Sequence, residues 1–260
     1  MRLFFLLLAA TAAFAQDERR VVSPDGQIEF RIRVALPDPA ALNQLAYDVR
    51  FHGKPLIDTS FLGLDILYQP MLGAKLGLLS SHTGKTEHYQ SLVAEYMQDG
   101  STGRLINVEV QVFNDGVAFR YIVPKSNPLE DLRIEGEETE FRLAQGADTP
   151  PLITSYSHEA VPLTRIPAES PIGLPFVAED PGVGWLAITE VPIASYGRMS
   201  LIRVNGTTLV SRAEKNGRTP DLVADAKSPF TGPWRVILIG ASAEKLRESK
   251  LVSTLESAGK

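Results

Sequence analysis

The sequence predicts an all-β protein, a large β-sandwich with little helix. Three observations carry that expectation. Apolar residues recur with a period of two in one run after another, and turn residues separate the runs. Only the C-terminal tail carries a helical signal.

Gln27 to Val34 alternates cleanly, with Ile28, Phe30, Ile32 and Val34 on one face and Glu29, Arg31 and Arg33 on the other. A Ser23-Pro-Asp-Gly26 turn starts it. Leu45, Tyr47, Val49 and Phe51 repeat the period, and His52-Gly-Lys-Pro55 turns the chain into Leu56 and Ile57. Residues 58 to 82 are apolar but irregular, and no strand can be placed there by pattern. Ile106 to Val112 and Val117 to Tyr121 flank Asn114-Asp115-Gly116, a hairpin signal. A short strand follows at Thr139 to Leu143. Residues 144 to 182 carry seven prolines and few periodic positions, which predicts a long loop over a sheet face or edge. Trp185 to Ile188 reads as a buried strand, and Met199 to Val204 resumes extended structure after Pro192 and Gly197. Asn205-Gly206 then turns the chain into Thr207 to Val210. Trp234 to Ile239 reads as a continuous apolar strand, central or buried on both faces. Ser242 caps a helix through Glu248 with Leu246 facing the core, and 251–255 extends it or forms a strand. Nine or more short strands with almost no helix give the sandwich.

The totals bound the function. Residues 1–15 have Arg2, an apolar run over Leu3 to Phe14 and Ala13-Phe14-Ala15, which together read as a secretory signal. The expected mature protein is a single domain, residues 16–260, secreted or periplasmic. The apolar run is too short to stay across a bilayer. Without it, 25 basic residues face 31 acidic ones, a net charge of −6. A mildly acidic chain without a basic cluster argues against nucleic acid as a partner. The chain has no cysteine, so no disulfide supports the fold.

Few motifs carry chemistry. His82 and His88 are six apart, and His158-Glu159 has no second histidine in helical register, so neither forms a metal pair. No Gly-x-Ser-x-Gly elbow occurs. Gly182-Val-Gly184 spells a dinucleotide fingerprint but leads into a strand, where a phosphate would find no helix N-terminus. Glu135, Glu137, Glu138 and Glu140 read as a solvated acidic face. Glu190 stands out, because an acid where a core strand surfaces is either locally hydrogen-bonded or a hard oxygen ligand for a divalent ion such as calcium. Trp185, Tyr156 and Tyr196, with nearby acids such as Glu159, offer aromatic faces and carboxylates of the kind that hold a sugar.

Six phrases in order carry a family resemblance. They are SPDGQIEFRI (23–32), YDVRFHGKPLI (47–57), VQVFNDGVAFRY (110–121), EETEFRL (137–143), GWLAITE with SY, M and L (184–201), and PWRVILIG (233–240). Together they resemble the N-terminal domain of glycoside hydrolase family 97, over nearly all of the expected mature chain. The resemblance implies a galactose mutarotase-like supersandwich packed on a catalytic (β/α)8 barrel that cleaves α-glucosides or α-galactosides with calcium in its site. It places the catalytic carboxylates on the barrel, which this sequence does not include, and assigns a calcium-ligand role to Glu190. It also sets the Tyr156 to Glu159 segment at the active-site mouth. Where the family reads Asp-Tyr-Pro-Gly-Met, this chain has Ser195-Tyr196-Gly197-Arg198-Met199. The resulting expectation is a carbohydrate-binding domain, not catalytic alone. The alternatives are a subunit that completes a calcium site in a partner barrel through Glu190, and a structural sandwich without a ligand.

Overall fold

The computed structural model describes residues 17–99, 103–144, 152–153, 161–216 and 221–258. Tyr156 and Glu159 lie outside these residues. The chain opens with β1 (Arg19–Val22), β2 (Ile28–Ala35), β3 (Gln44–Phe51) and β4 (Lys54–Leu62), an antiparallel sheet in sequence order. The short β5 (Leu64–Ile66) precedes two hairpins, β6 (Leu76–Lys85) with β7 (Tyr89–Gln98) and β8 (Leu105–Phe113) with β9 (Gly116–Val123). Next come β10 (Asp131–Glu137), β11 (Glu140–Arg142), β12 (Leu152–Ile153), β13 (Val161–Pro162) and β14 (Pro171–Ile172). The chain then forms β15 (Phe176–Asp180), β16 (Gly184–Val191), β17 (Met199–Asn205) and β18 (Thr208–Ala213). It closes with β19 (Ala224–Lys227), β20 (Phe230–Thr231), β21 (Trp234–Gly240), α1 (Ala243–Glu248) and α2 (Leu251–Ala258).

One ten-stranded sheet dominates, in the order β13-β12-β15-β16-β21-β9-β8-β7-β6, with β20 also on β9. Three smaller sheets accompany it: β1 to β4, β19-β10-β5 and β11-β18-β17-β14. The main core lies between the layers. Phe30 of β2 stacks on Tyr47 of β3 at 5.3 Å, Tyr47 meets Phe119 of β9 at 5.1 Å, and Phe119 reaches Phe141 of β11 at 6.4 Å. One aromatic chain thus ties three sheets together, which is how a sandwich without disulfides holds its layers. The alternating runs in β2 and β8 bury every second residue, as the pattern predicts.

β21 is buried on both faces. Ile237 and Ile239 enter the main core, while Trp234 and Val236 meet Leu251 and Leu255 of α2 on the outer face. That position explains a strand with no polar alternation. The Ser242 hydroxyl accepts the Lys245 N–H and caps α1, and the ambiguous 251–255 run is helical. Gly116 closes the β8–β9 hairpin at φ +157°, where a Cβ would sit 2.4 Å from the Ile237 carbonyl oxygen. Only glycine fits there.

Two regions gain strands that the pattern does not show. Residues 58–82 contain the end of β4, β5 and the start of β6, and the described residues within 144–182 include four short strands and a 3-10 turn at Leu163–Arg165. β15 and β14 pair with β16 and β17, so the described part of this proline-rich stretch is built into the sheets.

Candidate functional site

β16 and β21 are antiparallel neighbours, and their register sets Glu190 directly opposite Arg235. Both side chains share the inner face with Leu186, Ile188 and Ile237. A guanidinium placed among core side chains needs partners for its donors, and it has them. Arg235 Nε and Nη2 donate to Glu137 Oε1 and Oε2 at 2.8 and 2.6 Å, a bidentate pair, and Nη1 donates to Glu190 Oε2 at 2.6 Å. Glu137 also accepts the Thr139 hydroxyl at 2.6 Å and the Tyr196 hydroxyl at 2.9 Å, and Tyr121 bonds Thr139 at 2.7 Å. The Arg235 guanidinium lies over the Tyr196 ring at 5.6 Å, and that ring stacks on Phe230.

The electrostatics follow from this packing. Burial opposes ionisation of Glu137, but the Arg235 guanidinium and the Thr139 and Tyr196 hydroxyls outweigh it and hold the carboxyl below its usual range. Burial also opposes the charge on Arg235, and the Glu137 carboxylate reverses that and holds the guanidinium charged. Burial, reinforced by Glu137, pushes the Tyr196 phenol well above its ordinary value. Glu137 is therefore an ionised acceptor at neutral pH, without a proton to give as a general acid.

Glu190 lies where this network meets the surface. Its Oε1 accepts the Met199 N–H at 3.0 Å and faces Arg198 Nε at 3.2 Å. The Arg198 side chain is 64% exposed, against 4% for Glu190. The carboxylate thus fastens both ends of the 192–198 loop, through its own strand and through the first residue of β17. Gly197 lets the loop pass close to its neighbour, since a Cβ there would stand 1.8 Å from the Glu214 carbonyl oxygen. Gly197→Ala is therefore expected to shift the loop and cost about 1–3 kcal/mol, read as a lowered midpoint in thermal unfolding.

Of the site residues expected from the sequence, Glu190, Trp185 and Tyr196 are among the described residues, and these three do not face one cleft. Tyr196 is buried, with its hydroxyl on Glu137 rather than in solvent. Trp185 is half-buried and five residues from Glu190 on the same strand, so the two side chains face opposite sides of the sheet. Tyr156 and Glu159 lie outside the described residues. Among the described residues, no group of three or more His, Cys, Asp or Glu side chains gathers as a metal site. Calcium does not fit the Glu190 carboxylate as it stands, because guanidinium and amide donors already engage both oxygens.

Glu137 and Arg235 are the residues that sequence reasoning missed. Glu137 belongs to an acid run that reads as a solvated face, yet it is buried. Arg235 interrupts a run otherwise apolar from Trp234 to Ile239, and a charge inside a central strand is itself the signal of a buried partner.

The Glycosyl-hydrolase 97 N-terminal family model matches residues 21–257. No curated protein matches the chain. A glycoside hydrolase family 97 enzyme in complex with acarbose, from Pseudoalteromonas sp. strain K8, superposes with a TM-score of 0.75 at 20% identity, covering 90% of this chain and 37% of that enzyme. A variant of that enzyme in complex with panose gives 0.75 at 19%, with the same coverage. A β-arabinopyranosidase gives 0.68 at 19%, covering 86% of this chain and 40% of the enzyme. The chain thus spans 37–40% of the length of these enzymes and has the fold of the part it covers. With nearly its whole described length matched, it belongs to the glycosyl-hydrolase 97 N-terminal family.

Proposed function

We propose that this chain is a carbohydrate-binding β-sandwich of the family 97 type, secreted or periplasmic, that works beside a catalytic module and does not cleave glycosides alone. The observation that carries the reading is the use of its buried acids. Glu137 and Glu190 are bound to one guanidinium, and their oxygens fix a loop rather than face a substrate bond. A glycosidase needs two carboxylates flanking a sugar, one of them able to give up a proton. The relatives' complexes with acarbose and panose support α-glucosidic sugars as the ligand class, and the β-arabinopyranosidase widens it to other pyranosides. No helix among the described residues is long and apolar enough to cross a membrane.

A second reading, a subunit that completes a calcium site in a catalytic barrel, is favoured by the exposure of Arg198 beside Glu190. It requires Arg198 to leave Oε1 before a metal can approach.

Calorimetric titration of the purified chain with maltose-type and α-galactoside oligosaccharides, alongside a hydrolysis assay, tests the first reading. The expected result is sugar binding without turnover, unchanged by added calcium. Turnover by the chain alone, or no binding of any sugar, overturns it.

A further inference from the structure

Arg104 is a second buried arginine, placed where the chain enters β8. Its backbone carbonyl accepts the Gln98 N–H at 2.8 Å, which adds a rung to the β7–β8 ladder beyond Met97 and Leu105. Residues directly opposite in an antiparallel pair point to the same face, with their Cβ atoms about 5 Å apart. Gln98 is 5% exposed and Arg104 3%, so both side chains lie on the buried face. We infer that this pair is a binding subsite for a small hydroxy acid, with the carboxylate on Arg104 and the neighbouring hydroxyl on Gln98.

The first argument is the account of hydrogen bonds. Gln98 Nε2 donates to the Met71 and Ala74 carbonyls, both at 2.9 Å, and Arg104 Nη2 donates to the Pro70 carbonyl at 2.8 Å. Two carbonyl acceptors fix which end of the Gln98 amide carries nitrogen, so Oε1 is the free end. Oε1 has no partner, and neither do Arg104 Nε and Nη1. Unused donors of a guanidinium thus stand beside an unused acceptor.

The second argument is charge. The buried Arg235 has carboxylates on all three of its nitrogens, whereas Arg104 has none among the described residues. Burial alone acts on the Arg104 guanidinium and pulls it below its ordinary value. A buried cation without an anion is costly, so a ligand carboxylate gains a charge-assisted bond here and relieves that cost. Gln98 Oε1 is an acceptor and disfavours a bare anion, so the ligand must also bring a donor. A hydroxyl next to the carboxylate supplies it.

The third argument is the groove beside the pair. Gln98, Pro70, Met71 and Ala74 line a space of about 550 Å³, which Pro37 and Leu42 continue. Leu42 is 56% exposed, so this wall offers accessible apolar surface. The volume is within the usual range for small-molecule sites, roughly 300–1,000 Å³. Lys75 and Asp99 also line it, both exposed and opposite in charge, which leaves Arg104 as the unbalanced cation. The Pro70 carbonyl that Arg104 holds belongs to the same wall. The unpartnered atoms are screened from solvent, so a ligand reaches them as the 70–74 wall yields.

The test is calorimetric titration of the full chain with glycolate and D-gluconate, which carry the same carboxylate and α-hydroxyl on a short and a long body. Acetate, without the hydroxyl, and glycolamide, without the charge, are the comparison ligands. Both hydroxy acids are expected to bind the wild type, acetate about fivefold more weakly and glycolamide about tenfold or more. Arg104→Met is expected to abolish binding with an unchanged or raised melting temperature, because it replaces a lone buried charge by an apolar chain of similar length. Glycolate binding that survives in Arg104→Met overturns the subsite. So does a wild type that binds acetate as tightly as glycolate, or one that binds none of the acids. Each of these results leaves the neutral-sugar reading standing, since the two do not depend on each other.

Discussion

Arg235→Met is expected to destabilise the fold by about 3–5 kcal/mol, the cost of leaving a buried acid without its cation. Methionine fills much of the space of the arginine stem, so the loss reads electrostatics rather than a cavity. Glu137 would keep only its two hydroxyl donors, from Thr139 and Tyr196. Glu190 would keep the Met199 amide and Arg198, so most of the cost falls on Glu137. Adding Glu137→Leu to Arg235→Met removes the stranded charge and is expected to restore most of the loss, because an apolar replacement of a buried ion pair is often close to neutral. The dependence on pH has a definite sign. In the wild type the folded carboxyl of Glu137 lies below its unfolded value, so its contribution is present at neutral pH and is lost as pH falls through that depressed folded value. In Arg235→Met, burial is left to raise that carboxyl, so the deficit is largest near pH 8 and shrinks toward pH 5. Urea unfolding of the wild type and both variants at these two pH values decides the matter. A single variant as stable as the wild type, or a double variant no better than the single, means that the guanidinium does not compensate Glu137.

This cluster also marks where sequence reading stops. Period-two runs in β2, β3, β8 and β9 are legible because each buries one face and pairs with a neighbour close in sequence. The Asn114-Asp115-Gly116 turn and the Ser242 cap are legible because their chemistry is local. Glu137 is not. In β10, Leu132 and Ile134 point inward, and strict alternation would send Glu137 out. An irregularity in the pairing with β5 between Ile134 and Gly136 shifts the phase by one residue and turns Glu137 into the core. A bulge leaves no mark in composition. The 58–82 stretch hides its strands for a related reason, since β4 buries Ser60, Phe61 and Leu62 in succession and β6 shifts register between Leu78 and Ser80. The proline-rich edge is hidden because its partners lie outside it, as where Pro171 and Ile172 pair with Ile202 and Leu201. At the candidate site, Glu190 was legible as an acid at the end of a core strand. That Tyr196 faces inward depends on Glu137, so one unread bulge hid both.

Asp180→Asn is expected to stabilise the protein by roughly 2–3 kcal/mol at pH 8 and to have almost no effect at pH 4. Asp180 ends β15 on the core face and is 2% exposed, and neither of its carboxylate oxygens has a hydrogen-bond partner. Burial, and then the Asp58 carboxylate, push its carboxyl up to about 6 from an ordinary 3.8, with Lys54 pulling the other way. A folded value above the unfolded one means that the native state holds this proton more tightly. Stability from this residue is therefore greatest below about pH 4, declines as pH rises from 4 to 6, and stays reduced above that. A difference of about two pH units corresponds to roughly 3 kcal/mol, the basis of the expected gain. Asparagine has nearly the same shape without the charge and escapes the penalty at high pH. Asp58→Asn should recover a smaller part of it, since it removes the second cause and leaves burial in place. Thermal unfolding of the three proteins at pH 4, 6 and 8 separates the contributions. An Asp180→Asn protein that melts with the wild type at pH 8 would mean that water or a cation already satisfies this carboxylate. Glu137 and Asp180 have opposite dependences for one physical reason: both acids are buried, and only Glu137 has a guanidinium.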